Sequence, residues 1–124
     1  MCIRDRFTIT RGNNVHAYQD IFNNGASIGD EPDGGALLDF DFPFDPANNN
    51  PYTQVDAAVV NLFYWNNVVH DLWYHYGFDE VSGNFQENNY GNGGFGSDYV
   101  YADAQDGSGS VSYTHLTLPT ICSV

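Results

Sequence analysis

The residues best suited to metal chemistry cluster in "HDLWYH", residues 70–75, where two histidines frame an acid. The helical pattern H-E-x-x-H grips zinc because its histidines stand four apart, roughly 40° from each other around the axis. His70 and His75 stand five apart instead, which separates them by about 140° on a helix. They cannot hold one ion between them. Asp71 fills the glutamate position with a shorter side chain, too short to reach the water it would have to deprotonate. The spacing suits hydrogen bonding along the helix better, since Asn66 with His70 and Asp71 with His75 are both i, i+4 pairs. With Asn61 and Asn67 these residues form a polar stripe fit to bond neighbouring loops.

The remaining candidates are weaker. Asp30, Glu31 and Asp33 share a Gly-rich loop and could gather oxygens around calcium, although EF-hand spacing is missing. Asp39, Asp41 and Asp45 read as the solvent face of a strand and its exit. "GNGGFG", residues 91–96, has neither the lysine nor the following helix of a phosphate loop. His16 falls in a separate strand or turn. No residue is therefore assigned as catalytic, cofactor-binding or metal-binding.

These side chains need elements to position them. From Thr53 to Tyr76 the apolar residues recur in steps of three and four, predicting one long helix with Thr53 as N-cap and Gly77 just past its end. Its apolar face is wide enough for burial between two layers, with Leu62, Val69 and Trp73 among the most buried residues. Before it, alternation in "FTIT" and "VHAY" reads as strands around a turn at "RGNN". "ALLDFDFPFDP" reads as a strand with Leu38, Phe40 and Phe42 on its buried face. After it, "DYVYADA", Asp98 to Ala104, is the best strand. The segment is α+β.

Composition excludes some partners. The chain carries 16 acidic residues against 3 basic ones, a formal charge of −13, which repels nucleic acid and anionic lipid surfaces. Such charge can also signal disorder, but 9 Phe, 9 Tyr and 2 Trp supply apolar area enough to order the chain. No apolar run reaches membrane-spanning length.

The two ends stand apart from the rest. Met1 to Arg6 and Val111 to His115 can be encoded by a single DNA sequence read from opposite strands, and that sequence looks like a transposon end used in sequencing adaptors. "LTLPT" fits read-through into the same adaptor. Residues 1–6 and 110–124 are accordingly expected to be adaptor-derived and to pack poorly, leaving Phe7 to Gly109 as the native part of one domain. Cys2 and Cys122 lie in those ends, so disulfide and thiolate-metal chemistry drops out. Between them Arg11 is the sole basic residue.

"NLFYWNN", "HD" followed by "YGFDE", "GNFQ" and "AQDGSG" together resemble the secreted zinc metallopeptidases of the fungalysin family, most strongly from Asp56 to Gly109. The resemblance implies the strand-rich N-terminal part of a thermolysin-like catalytic region. It also implies an extracellular location and protein or peptide substrates. Zinc in that family is held by a H-E-x-x-H helix and a later glutamate, which lie downstream of "AQDGSG" and outside this sequence. The segment alone is then scaffold, inactive without the zinc ligands. The competing reading is a non-catalytic, acidic extracellular binding or calcium-stabilised module.

Overall fold

The computed structural model describes residues 7–23, 31–47 and 50–107. Two strands and one long helix carry the architecture: β1 (Val15–Gln19), α1 (Val55–His75) and β2 (Val100–Ala104). The strands pair in parallel, with Val15 opposite Val100, Ala17 opposite Ala102 and Gln19 opposite Ala104. Parallel strands need a long crossover, and α1 lies within it. Alternation sends Val15, Ala17, Ala102 and Ala104 to one face, where α1 supplies Val59; these five residues are the buried apolar core. Val55, Leu62, Phe63 and Val100 pack around them. The alanines on the sheet let the helix approach closely, which leaves a small core.

The helix runs unbroken, close to its expected span. Thr53 is not its N-cap: Pro51–Thr53 forms a short 3-10 turn, and the Thr53 hydroxyl donates to the Asn50 carbonyl at 2.9 Å. Gln54 takes the capping position without a capping side-chain bond, because its Oε1 accepts from the Asp45 backbone N–H at 2.8 Å. The C-terminal end follows the sequence reading. Gly77 adopts φ +94°, its N–H donates to the Tyr74 carbonyl, and the Phe78 N–H donates to that of Trp73. This double bond pattern is the Schellman closure that favours glycine at that point.

Burial along α1 departs from expectation. Val59 is the buried residue of the helix and Leu62 is half-buried, whereas Val69 and Trp73 are exposed by 46% and 55%. Among the described residues one layer, the two-stranded sheet, covers the helix, and it reaches only the N-terminal half.

Two expected strands do not form. Around Phe7 to Arg11 the pairing is limited to isolated bridges, Ile9 with Asp33 and Arg11 with His16. The alternating segment after Gly35 turns instead of extending. Gly35–Leu37 is a 3-10 turn, Leu38 takes φ +54°, and the Asp39 N–H returns to the Gly34 carbonyl. Asp33 sets this turn by accepting from the Gly35 N–H at 2.8 Å, so local side-chain bonding overrides the period-two pattern. Asp39, Asp41 and Asp45 are still exposed, as the alternation suggested. The ends, residues 1–6 and 108–124, lie outside the described residues.

Candidate functional site

His70 sits on the side of α1 that meets the loop following the helix. Its Nδ1 lies 3.3 Å from Asp71 Oδ1, and its Nε2 lies 3.5 Å from Asn84 Nδ2. If the Nδ1–H donates to Asp71, Nε2 accepts from the Asn84 amide, so a neutral ring satisfies both contacts. Neither i, i+4 side-chain pair forms. Asn66 donates back to the Leu62 carbonyl at 2.8 Å, and Asn67 to that of Phe63 at 2.9 Å. The stripe does reach neighbouring loops, through His70 to Asn84 and through Asn67 Oδ1, which accepts from Asn14 at 3.2 Å. His75 stands exposed in the last turn.

The acidic loop considered for calcium has other uses for its side chains. Glu31 Oε1 pairs with His16 Nε2 at 2.9 Å, and both side chains are nearly buried. Asp33 accepts from the Gly35 N–H, the main cause holding its carboxyl below the usual range, and its backbone bridges to Ile9. Asp30 lies outside the described residues. His16 faces away from α1, among the rings of Tyr18, Tyr99 and Tyr101. Arg11 lies over the Phe7 and Tyr99 rings at 4.6 and 5.2 Å. The Tyr18 hydroxyl is pushed well above its ordinary value, first by burial and then by its bond to Asp103.

The best-defined polar site has no counterpart among the sequence candidates. Glu80 is 6% exposed and accepts from the Tyr74 hydroxyl at 3.3 Å and the Asn92 amide at 3.0 Å. The Asn92 bond is the main cause holding its carboxyl below the usual range. The same carboxylate, acting first by its charge, raises the Tyr74 hydroxyl. Gly94 lies on the Glu80 carbonyl so tightly that a Cβ there would stand 1.8 Å from the oxygen. The "GNGGFG" glycines thus fold the loop over an acid rather than around a phosphate. Asn89 closes the curl by donating to the Gly93 and Phe95 carbonyls at 2.8 and 2.9 Å. The signal in the sequence is the density of Gly and Asn after "FDE", which marks turns with left-handed residues.

A hydrolytic zinc needs three protein ligands, an open position for water and a base beside it. Among the described residues no group of three or more His, Cys, Asp or Glu side chains is placed to hold a metal. The residues here do not fit a zinc site, and no catalytic step is assigned to them. These side chains tie a long helix to a polar loop and a small sheet.

The model of the fungalysin metallopeptidase (M36) family matches residues 2–120, past Phe7 and Gly109 on both sides. Extracellular metalloproteinase 1 of Trichophyton equinum is 43% identical over 127 aligned residues, covering 94% of this chain and 19% of the relative. The protein of the same name from Arthroderma benhamiae is also 43% identical, with 18% of its length covered. Extracellular metalloproteinase 5 of Arthroderma otae is 40% identical over 116 residues, again with 18% of its length covered. The chain spans about a fifth of the curated relatives it matches.

Proposed function

Because this chain belongs to the fungalysin metallopeptidase (M36) family, we propose that it forms scaffold in a secreted zinc endopeptidase acting on protein or peptide substrates. The match to the family over residues 2–120 carries this reading. The zinc ligands and the catalytic base belong to the part of a family-length protein beyond this chain, and α1 with its sheet forms one wall behind the cleft. The relatives' name, extracellular metalloproteinase, supports secretion. No helix among the described residues is long and apolar enough to cross a membrane.

The test compares a family-length protein carrying this segment with the 124-residue chain alone. The longer protein should cleave casein, lose activity to a chelator and bind zinc stoichiometrically, while the chain alone neither cleaves casein nor binds zinc. Stoichiometric zinc on the chain alone, or an inactive longer protein, overturns the reading. We further propose that residues 1–6 and 110–124 are adaptor-encoded and that residues 7–109 are the partial peptidase domain. Long-read sequencing of the source DNA across both junctions tests this, and recovery of the same codons there would refute it.

A further inference from the structure

The loop that covers Glu80 contains an Asn–Gly peptide, Asn92–Gly93, at its exposed tip. An asparagine before glycine is chemically labile, because the next backbone nitrogen can attack the side-chain amide and no Cβ hinders its approach. The local structure leaves that approach open. A Cβ added at Gly93 would meet only the Val81 Cγ2 methyl, at 3.4 Å, and the Gly93 N–H has no hydrogen-bond partner among the described residues. Asn13, Asn14, Asn67, Asn84 and Asn89 are each followed by a residue with a side chain. The other Asn–Gly peptide, Asn24–Gly25, lies outside the described residues.

We propose that Asn92–Gly93 is a site of spontaneous deamidation, and that the reaction releases the loop from Glu80. The Gly93 nitrogen gives up its proton and bonds to Asn92 Cγ, and the Cγ–Nδ2 bond breaks. The nitrogen leaves as ammonia, taking the proton that Gly93 lost, and a five-membered imide remains. Water then adds to one of the two imide carbonyls and opens the ring. One opening gives aspartate, and the other gives isoaspartate with the main chain running through the side-chain carbon. Nothing is oxidised or reduced, and the balance is asparagine plus water to aspartate plus ammonia.

The consequence follows from what Asn92 holds. Its amide is a donor to Glu80 Oε1 at 3.0 Å, and the product replaces that donor with a second carboxylate. Two acids then face each other where a hydrogen bond had been, and like charges at that range repel. Isoaspartate also lengthens the main chain beside Gly94, where the loop touches the Glu80 carbonyl with no room to spare. Tyr74 retains its bond to Glu80 Oε2, so the helix side of the site persists while the 89–97 return comes free.

The experiment ages the 124-residue chain in mildly alkaline buffer and maps its peptides by mass spectrometry, with hydrogen exchange measured on fresh, aged and variant protein. Asn92 should convert at least about tenfold faster than Asn84 or Asn67, to a mixture of isoaspartate and aspartate, and Gly93→Ala should suppress the reaction. Aged protein and Asn92→Asp should both exchange faster across residues 78–97, while β1 and β2 stay as protected as before. Conversion of Asn92 no faster than that of Asn84 would overturn the site. Unchanged exchange across 78–97 in the aged protein would overturn the release, and because aged wild-type chain is read directly, a misfolded variant cannot hide that result.

Discussion

The two halves of α1 are held by different forces. From Val55 to Phe63 the helix rests on the sheet through apolar contact with Val15, Ala17, Ala102 and Ala104. From His70 to Tyr76 it is tied to the following loop by polar contacts, Asn84 to His70 and Glu80 to Tyr74, while Leu72, Trp73 and Tyr76 line an open apolar surface. The first arrangement is non-directional and tolerates small shifts; the second depends on each donor meeting its acceptor. The helix repeats one apolar rhythm throughout, so the difference comes from what lies against it.

The largest effect should come from breaking the packed half. Val59→Asp places an unpaired charge where no surface is exposed, which should cost about 3–5 kcal/mol and abolish cooperative thermal unfolding by circular dichroism. Next is the anchor of the polar half. Gly94→Ala should cost about 2 kcal/mol or more, since φ is +70° and the new Cβ collides with the Glu80 carbonyl. Gly91→Ala, at φ +83° with open space around it, should cost only about 1 kcal/mol in the same denaturant titration. Equal losses at the two glycines would mean that the loop does not bear on Glu80.

Between the two glycines ranks Asn84→Ala, which removes the buried amide that reaches His70. It should lower stability by about 1–2 kcal/mol and speed hydrogen exchange in the last two turns of α1 before the first two. Acid should act on the same half. Glu80 and Asp79 have carboxyls held below their ordinary range in the folded chain, Glu80 chiefly by Asn92 and Asp79 by Ser82. Their contribution is complete above the ordinary carboxylate pKa and is lost as pH falls through the depressed folded values. Exchange across residues 78–97 should therefore rise in acid before exchange in β1 does. The smallest effect is expected at Trp73→Ala, within about 0.5 kcal/mol in this chain because the ring is exposed. The same substitution in a family-length protein should cost more, if the proposed remainder of the domain covers that surface.

How much of this molecule is legible in its sequence follows the range of the interactions involved. The helix and its end at Gly77 are legible because periodicity and the Schellman closure are local. β2 is legible for the same reason, two residues shorter at its start than the alternation suggests. The strand expected after Gly35 fails on one side chain: Asp33 captures the Gly35 N–H and the chain turns at Leu38. Trp73 and Val69 lack the burial expected of them because an apolar face states that it wants a partner and not that one is present. At Glu80 the Gly and Asn density after "FDE" marks the turns but not the bonds, since its partners Tyr74 and Asn92 lie on opposite sides of it in the chain and form no spacing motif. The divergence of His70 from His75, in contrast, needs only helical geometry.

The parallel register has a kinetic meaning. Val15 must find Val100 and Gln19 must find Ala104, so the contacts that define the sheet are among the most distant in the chain. Closing such a loop spends chain entropy before any ladder bond returns it, and folds built this way assemble slowly. On a ribosome, β1 emerges before β2 and has no ladder partner until Val100–Ala104 has been made, so Val15 and Ala17 need other cover meanwhile. α1 can form in the interval and shelter them, which makes the helix the chaperone of its own sheet.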